Sequence, residues 1–324
     1  MVAKNGSNKE VVIQLEFDDN RLLTNLFGEH NQHLSRIEKL LEVQVASRGN
    51  VVAITGEPKA AEIAKAVLNA LHTRLTRGLD VDLAEVDSAI RLIQSPADEA
   101  TQAVDDQILS IPTRRKHITP RSPTQANYIK SLRSHHMVFG LGPAGTGKTY
   151  LAVAQAVSML LSGQIERIIL SRPAVEAGER LGFLPGDLRD KIDPYLRPLY
   201  DALEDMLPMD QIIKRLDNGE IEVAPLAFMR GRTLSNAFVI LDEAQNTTHI
   251  QMKMFLTRFG ENSRMVITGD MTQIDLPTGE LSGLQEAVMI LKDIKEIDFV
   301  HFSYKDVVRN PLVSRIIKSY EAIS

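Results

Sequence analysis

The chain has 324 residues, of which 44% are hydrophobic and 24% are charged, a composition typical of globular proteins. Its formal net charge of −5 excludes a basic surface over the whole protein, so any contact with nucleic acid has to use local patches. The absence of cysteine excludes disulfides and thiolate metal sites. No apolar run is long enough for a membrane span, and the first residues lack the apolar core of a secretory signal. We therefore expect a cytoplasmic protein that does not enter a membrane.

The first predicted domain, residues 1–78, alternates short strand and helix patterns. A strand over 11–17 precedes a helix that ends at Gly28, and the apolar spacing of 31–41 predicts a second helix. Two strands joined by a tight turn follow, and a long helix begins at Pro58. The predicted order of elements is β-α-α-β-β-α.

This order resembles a KH domain, an RNA-binding module that clamps the nucleic-acid backbone with a GXXG loop between its first two helices. The corresponding loop here is Gly28-Glu29-His30-Asn31. Asn31 replaces the second glycine but can adopt the same left-handed conformation, whereas Glu29 would repel a phosphate. The resemblance implies RNA binding through this loop. The alternative is a small α+β domain that serves protein contacts or oligomer assembly.

Residues 79–121 are predicted to be a helix and a basic linker between two domains. The helix covers 79–94, and an acidic stretch with prolines follows it. The run at 112–121 has no acidic residue and either contacts phosphates or is a solvated linker. Its basic residues are Arg114, Arg115, Lys116 and Arg121.

From residue 122 to 324 the pattern changes to apolar strands that alternate with helical stretches. Continuous apolar strands separated by helices predict a parallel sheet covered on both faces. We therefore expect an α/β domain of about 200 residues, the size of one large domain. The predicted strands are 136–142, 166–171, 237–242, 264–270 and 297–303.

A phosphate-binding loop follows the first of these strands, where GPAGTGKT fits the pattern G-x-x-x-x-G-K-[ST] between a strand and a helix. Its glycines let backbone N–H groups point at phosphates, Lys148 reaches the β- and γ-phosphates, and the Thr149 hydroxyl binds Mg²⁺. The motif predicts ATP and Mg²⁺ as ligands, and the alternative is a plain glycine-rich turn. The other predicted nucleotide-binding residues of the loop are Gly142, Pro143, Ala144, Gly145, Thr146 and Gly147.

Two carboxylates end the apolar strand AFVIL, at the sheet edge where α/β folds bind ligands. We expect Asp242 to hold Mg²⁺, directly or through water, and Glu243 to orient or deprotonate an attacking water. The alternative is a strand that stops at a charged turn. After the next strand, Asp270 and Gln273 form a GDxxQ pattern, from which Gln273 can sense the γ-phosphate.

Together, GPAGTGKT, DEAQ and GDxxQ resemble the motifs of superfamily 1 helicases, with a RecA-like parallel sheet. SPTQANY is similar to their upstream Q motif, in which Gln125 would read the adenine edge. The alternative for Gln125 is an ordinary surface glutamine at a helix start. A monomeric helicase of that class needs a second RecA-like domain with an arginine finger, and the stretch after Gln273 is too short for one. A lone core therefore either hydrolyses slowly or takes an arginine from a neighbouring subunit.

Longer segments resemble the PhoH-like, phosphate-starvation-inducible ATPase family. They cover residues 171–203, 225–248, 253–270 and 307–317. The resemblance implies a bacterial, cytoplasmic, ATP-binding protein with one RecA-like core, linked to RNA metabolism. It also implies helicase-like activity in some members and association with an endoribonuclease of ribosomal RNA maturation. Some members carry a fused PIN nuclease domain, for which this chain has no room, so we do not expect it to cut RNA.

Two arginines and one inserted segment each have more than one possible role. Arg309 is similar to a family position suited to an arginine finger, acting in cis or from the next protomer of a ring; a salt-bridged surface arginine is the alternative. Arg172 ends a core strand and could meet phosphate or RNA. The segment 178–198, rich in glycine, proline and charge, is interpreted as an RNA-contacting or ATP-gated loop, or else an oligomer contact.

These features favour an ATPase coupled to RNA remodelling. The main alternative is a nucleotide-gated scaffold that binds a partner endoribonuclease without motor activity, which the missing second core domain supports. A P-loop kinase is disfavoured because a water-activating Glu243 would waste ATP, and a GTPase because the guanine-reading motif NKxD is absent from the sequence.

Overall fold

The computed structural model describes residues 10–94, 109–173, 188–277 and 279–307. The chain divides into two compact units. The first unit comprises Met1–Ser110 with Thr119–Pro123, and the second comprises Ile111–Ile118 with Thr124–Ser324. Within the described part of the chain, no helix has both the length and the apolar composition that a membrane crossing needs.

The first unit has the predicted element order β-α-α-β-β-α, followed by one more helix. Its strands form an antiparallel sheet in the order β1-β3-β2, so the third strand in the sequence lies in the centre. The apolar positions of the helices pack together with the inward side chains of this sheet into one core. The elements are β1 (Val11–Glu16), α1 (Asn20–Phe27), α2 (Gln32–Leu41), β2 (Gln44–Arg48), β3 (Val51–Gly56), α3 (Pro58–Thr76) and α4 (Leu83–Ile93).

Helix α4 differs from the sequence-based division, which placed it with the linker at 79–121. Its residues Val86, Ala89 and Ile90 are buried in the core of the first unit. The Asp87 carboxylate also accepts two hydrogen bonds of 2.7 Å from Arg36 on α2. The apolar face of α4 is buried on folding, and this is why the helix joins the unit rather than remaining in a connection.

The last residue of the loop between α1 and α2, Asn31, has the left-handed backbone conformation that the sequence predicts. Asn31 is left-handed at φ 62°, as we expected for the residue that replaces a glycine. Gly28 and His30 also have positive φ, at 73° and 52°. Glu29, His30 and Asn31 are all exposed, so the loop is accessible to a ligand.

The second unit is built around a six-stranded sheet in the order β11-β6-β10-β9-β7-β8, in which every neighbouring pair is parallel. This confirms the predicted α/β class. The strands of the unit are β4 (Ile111–Pro112), β5 (His117–Ile118), β6 (Met137–Leu141), β7 (Arg167–Arg172), β8 (Ile221–Pro225), β9 (Ala237–Leu241), β10 (Arg264–Gly269) and β11 (Ile297–His301). The helices are α5 (Pro123–Ser134), α6 (Lys148–Leu161), α7 (Leu188–Met206), α8 (Met209–Asp217), α9 (His249–Leu256) and α10 (Gly283–Leu291).

Strand β8 was not predicted from the sequence. β8 is an outer strand, paired only with β7 among the described strands, and most of its residues are half-buried. It contains Glu222 and ends at Pro225, so it lacks the continuous apolar run of the central strands. Glu222 within it pairs with Arg232 through two hydrogen bonds of 2.6 and 2.7 Å. An edge strand can carry such a pair because one of its sides is open to solvent.

Part of the predicted insertion 178–198 is helical rather than a loop. Residues 178–187 lie outside the described residues, but residues 188–198 begin helix α7, which continues to Met206. The glycines and prolines of the segment favoured a loop. The apolar face formed by Leu196, Leu199 and Leu203 is buried, and its burial outweighs the low helix propensity of proline.

The basic run at 112–121 contains the hairpin of β4 and β5, whose tip lies against the end of α7. Arg115 donates to the Glu204 carbonyl at 2.5 Å, and Lys116 pairs with Asp205 at 2.6 Å. Asp205 also accepts a bond of 3.1 Å from the Tyr150 hydroxyl. Arg115 and Lys116 therefore connect the hairpin to α7 while both side chains stay exposed, and contact of the basic run with phosphates stays a prediction.

Candidate nucleotide-binding site

The carboxyl ends of three adjacent strands form one cavity. Strand β10 lies between β6 and β9, so the loop after each of the three strands opens at the same edge of the sheet. The cavity has a volume of about 230 Å³. Its lining includes residues from all three loops: Ala144, Gly145, Gly147, Lys148, Thr149, Tyr150, Asp242, Glu243, Gly269, Asp270 and Gln273.

The loop after β6 depends on two of its glycines for its shape. The Gly142 N–H donates to the Gly269 carbonyl at 3.0 Å, and a Cβ at Gly142 would lie 2.3 Å from the Phe302 carbonyl oxygen. Gly147, with φ 85°, is the residue from which helix α6 starts. The first N–H groups of α6 thus point toward the cavity, with the partial positive charge of a helix start.

Lys148 lies along the inside of this loop. Its Nζ donates to the carbonyls of Gly142 at 2.6 Å and Pro143 at 2.8 Å, and the residue is only 8% exposed. Thr146 is fully buried, and its hydroxyl donates to the Pro143 carbonyl at 2.9 Å. Gly142, Pro143 and Thr146 therefore build the loop, while the other predicted loop residues line the cavity.

The hydroxyl and carboxylate predicted to hold a metal ion are in direct contact. Thr149 Oγ1 donates to Asp242 Oδ1 at 2.6 Å. Thr268, on the intervening strand β10, donates to the same oxygen at 2.7 Å. Asp242 is 7% exposed, and its backbone N–H is fixed by the Ser171 carbonyl at 2.9 Å. The three strands together fix the position of this carboxylate.

These donors fit Mg²⁺. Hydroxyl and carboxylate oxygens are the ligands that Mg²⁺ prefers, and it is commonly held by one or two carboxylates together with substrate phosphates. Among the described residues no group of three His, Cys, Asp or Glu side chains forms a complete cage for a metal. Thr149 and Asp242 are the residues that would hold the ion.

Glu243 projects into the same cavity from a strained backbone position, with φ 52°. Its Oε2 accepts a hydrogen bond of 2.6 Å from Gln245, and its Oε1 lies 3.4 Å from Nη2 of Arg172. Arg172 therefore contacts the acidic strand end, and its contact with phosphate or RNA stays a prediction. A carboxylate at this point can accept a proton from water near the terminal phosphate of a bound nucleotide.

The turn after β10 places Gln273 in the cavity lining. Asp270 shapes this turn, because its Oδ1 accepts bonds from the Thr272 N–H at 3.0 Å and hydroxyl at 2.6 Å. The Gln273 N–H donates to the Asp270 carbonyl at 3.1 Å. The GDxxQ pattern is thus a hydrogen-bonded turn beside the phosphate-binding loop.

Comparison with known proteins identifies the family of the chain. The family model described as "PhoH-like protein" matches residues 117–321. The chain belongs to the PhoH-like protein family.

Several PhoH-like proteins are similar along most of their length. One from Bacillus subtilis is 47% identical over 296 residues, which cover 91% of this chain and 93% of that protein. One from Mycobacterium tuberculosis is 50% identical over 300 residues, covering 92% of this chain and 85% of that protein. Protein PhoH of Escherichia coli is 42% identical over 238 residues, covering 73% of this chain and 66% of that protein. The predicted family resemblance is confirmed.

Two solved structures are similar to the chain at a lower level of identity. The SWI2/SNF2 ATPase core of Sulfolobus solfataricus, determined with double-stranded DNA, has a TM-score of 0.35 and 14% identity. The match covers 56% of this chain and 44% of that one. Hsp104 of S. cerevisiae, determined with ADP, has a TM-score of 0.27 and 12% identity over 82% of this chain and 48% of the other. Similarity at this level does not bear on the function of the PhoH-like chain.

Gln125 of this PhoH-like protein lies under the phosphate-binding loop. It is 4% exposed, which shows that the surface-glutamine alternative is wrong. Its Nε2 donates to the Thr146 carbonyl at 2.9 Å, so α5 supports the loop directly. Adenine recognition by Gln125 stays a prediction. Arg309, the expected arginine finger, lies outside the described residues.

Three residues of the site had no role in the sequence-based prediction. Thr268 contacts Asp242, Gln245 contacts Glu243, and Tyr150 lines the cavity and reaches Asp205. Gln245 is the last residue of the DEAQ motif, which predicts that it lies near the site but does not predict its contact with Glu243. Thr268 carried no signal, because its contact depends on β10 lying between β6 and β9.

Proposed function

We propose that this PhoH-like protein is an Mg²⁺-dependent ATPase whose turnover is coupled to RNA, as a helicase-like remodeller in RNA or ribosomal RNA metabolism. The observation that carries the ATPase part is the bond between Thr149 and Asp242 in the cavity that also holds Lys148 and Glu243. A phosphate cradle, a hard-metal ligand pair and a carboxylate that can take a proton are the parts that ATP hydrolysis requires.

In this proposal the loop and the start of α6 bind the phosphates. Lys148 leaves the carbonyls of Gly142 and Pro143 and moves to the β- and γ-phosphate oxygens. The exchange is favourable because a charged phosphate oxygen is a stronger acceptor than a neutral carbonyl. Mg²⁺ bound with the nucleotide would supply positive charge at the phosphates, and Thr149 and Asp242 would hold it.

The hydrolytic step uses Glu243. A water oxygen forms a bond to the γ-phosphorus, the bond to the β–γ bridging oxygen breaks, and the proton of the water passes to the Glu243 carboxylate. Gln273, in the cavity lining, contacts the γ-phosphate and reports its presence to the turn after β10. An arginine neutralises the charge that develops on the phosphoryl group, and the candidate is Arg309, acting in cis or from a neighbouring subunit.

Support for RNA coupling comes from the first unit. Its β-α-α-β-β-α order and its exposed loop at Gly28–Asn31 are the features on which the KH resemblance rests. Gly28, which has no side chain and a φ of 73°, allows the loop to approach a nucleic-acid backbone closely. We place the protein in the cytoplasm, as a homo-oligomer, with RNA as its substrate.

One observation favours a second function, a nucleotide-gated scaffold that binds a partner endoribonuclease. Lys148 is hydrogen-bonded to its own loop, and the Glu243 carboxylate lies between Arg172 and Gln245. Binding of ATP phosphates would draw Lys148 away from the loop carbonyls, while Thr149 and Asp242 are already in contact. Such a rearrangement can control a partner's binding without many cycles of hydrolysis.

Phosphate release from ATP by the purified protein, with and without single-stranded RNA, tests the proposal. Lys148→Ala is the matched control for nucleotide binding, and chelation of Mg²⁺ by EDTA is the control for the metal. We expect Mg²⁺-dependent turnover that RNA increases and that Lys148→Ala abolishes. Turnover that RNA leaves unchanged but a partner nuclease alters would favour the scaffold.

A further inference from the structure

Gln245 links two parts of the site through its side-chain amide. It lies in the short turn after Glu243 and is 1% exposed. Its Nε2 donates to Glu243 Oε2 at 2.6 Å, and its Oε1 accepts from the Asp270 backbone N–H at 3.0 Å. The Ser282 hydroxyl donates to the Gln245 backbone carbonyl at 2.7 Å.

The orientation of this amide is determined by its partners. A backbone N–H can only donate, so the amide oxygen has to face Asp270. The amide nitrogen must then face Glu243, whose carboxylate can accept. Turning the amide over would place two donors together at Asp270 and two acceptors together at Glu243. One orientation is therefore strongly preferred in the resting site.

The two oxygens of Glu243 are held differently. Oε2 is engaged by the short bond from Gln245, whereas Oε1 is 3.4 Å from the nearest Arg172 nitrogen, beyond a short hydrogen bond. The loosely held oxygen is the one that can be released to a water molecule. Gln245 thus leaves Glu243 free to react through Oε1 while fixing the plane of its carboxylate.

We propose that Gln245 is a positioning residue for Glu243, which it ties to the turn that carries Gln273. This inference rests on the ATP hydrolysis proposed above and adds a residue to it. Asp270 connects Gln245 to Gln273, because its N–H donates to the Gln245 side chain and its carbonyl accepts from the Gln273 N–H. A γ-phosphate that moves Gln273 therefore acts on Glu243 through three consecutive hydrogen bonds.

Two substitutions of Gln245 test this role in the full-length chain. Gln245→Met keeps the length of the side chain and removes both amide bonds. Gln245→Glu keeps an acceptor for Asp270 but cannot donate to Glu243. We expect both to lower kcat for ATP by roughly tenfold or more, since hydrogen bonds to charged groups are the stronger ones. The Kd of a fluorescent ATP analogue should change less than about twofold, because the phosphate-binding loop is untouched.

Ser282→Ala is the matched control for a purely structural effect. It removes the buried bond to the Gln245 main chain but leaves both amide bonds in place. We expect its kcat to stay near that of the wild type even where its melting temperature falls. A kcat that falls equally in Ser282→Ala and Gln245→Met would overturn the positioning role.

A double substitution gives the most specific result. If Gln245 acts through Glu243, adding Gln245→Glu to Glu243→Gln should cause no further loss of single-turnover rate. A loss of the same factor in both backgrounds would contradict the inference. Wild-type kcat retained in Gln245→Glu would overturn the role of Gln245 alone, whereas no ATP turnover in the wild type would overturn the proposed function and this inference together.

Discussion

Thr149 Oγ1 donates a 2.6 Å hydrogen bond to Asp242 Oδ1 across 93 positions of the chain. The contact joins the start of α6 to the end of β9, and Thr268 on β10 bonds to the same oxygen. Two hydroxyl groups from different elements thus fix one buried carboxylate. A site that is arranged before its ligand arrives loses little entropy when it binds, which is the physical reason to expect a metal–nucleotide site here.

Thr149→Ala should lower Mg²⁺-dependent ATP turnover by at least roughly tenfold, since a metal ligand and an orienting donor are both lost. Thr149→Ser retains the hydroxyl and is the matched control. Steady-state phosphate release over a range of Mg²⁺ concentrations measures the effect. Equal turnover in Thr149→Ala and Thr149→Ser would exclude the hydroxyl from the metal site.

Gly142→Ala should destabilise the second unit. The added Cβ would lie 2.3 Å from the Phe302 carbonyl oxygen, at a backbone φ of 137°. Gly163→Ala is the control, because Gly163 also has positive φ but a Cβ there meets no atom within 4 Å among the described residues. We expect backbone strain in Gly163→Ala to lower the free energy of unfolding by about 1–2 kcal/mol. At Gly142 we expect about 1–3 kcal/mol more, from overpacking. Urea unfolding measures the two, and equal losses would show that the close contact is relieved by a small shift.

Much of the site could be predicted because its chemistry is local in sequence. GPAGTGKT and DEAQ are contiguous segments that follow apolar strands, and the cavity contains residues of both. What could not be predicted depends on the order of strands in the sheet. Thr268 meets Asp242 only because β10 lies between β6 and β9, and strand order is not encoded in the spacing of any one segment.

The wrong predictions of secondary structure and unit boundaries also come from contacts between distant segments. Helix α7 includes Pro194 and Pro198, which predict a loop when the segment is considered alone. Its apolar face is buried by the rest of the unit, and this tertiary packing decides the conformation. Helix α4 was assigned to a linker because the boundary of a unit depends on which elements an apolar face meets, as Val86 and Ile90 show.

The Lys116–Asp205 pair makes a small contribution to stability that depends on pH. The hydrogen bond from Lys116 lowers the pKa of Asp205. Burial opposes the charge of Lys116, but its bonds to Asp205 and Tyr150 outweigh that and raise the pKa of the lysine. The lowered acid pKa means that the stabilisation is present at neutral pH and is lost as pH falls below about 4. The raised lysine pKa means that it is also lost at strongly alkaline pH, above about 10.

Lys116→Met should therefore cost no more than about 1 kcal/mol at pH 7, since both side chains are about half exposed and solvent screens the pair. Lys295→Met, at an exposed lysine of the same unit, is the control. Melting curves of both variants from pH 7 down to pH 3.5 check the prediction. A difference between them that grows on acidification would contradict the assigned sign.

Glu29→Lys should strengthen binding of single-stranded RNA if the loop at Gly28–Asn31 contacts its backbone. The substitution replaces an exposed negative charge with a positive one, and the gain should shrink as salt concentration rises. Glu296→Lys changes the net charge equally at an exposed position of the second unit. Fluorescence anisotropy with labelled RNA distinguishes them. The same gain in both variants would indicate a non-specific charge effect and would remove the support for the loop.

The central claim is that Glu243 activates water in an ATP-binding site, and Glu243→Gln tests it most directly. The substitution keeps the size of the side chain and removes its ability to accept a proton. ATP affinity and phosphate release should be measured on the same preparation of wild-type and variant protein. We predict unchanged affinity, with turnover lowered by a factor of roughly 10² or more. Wild-type turnover in Glu243→Gln would contradict the account.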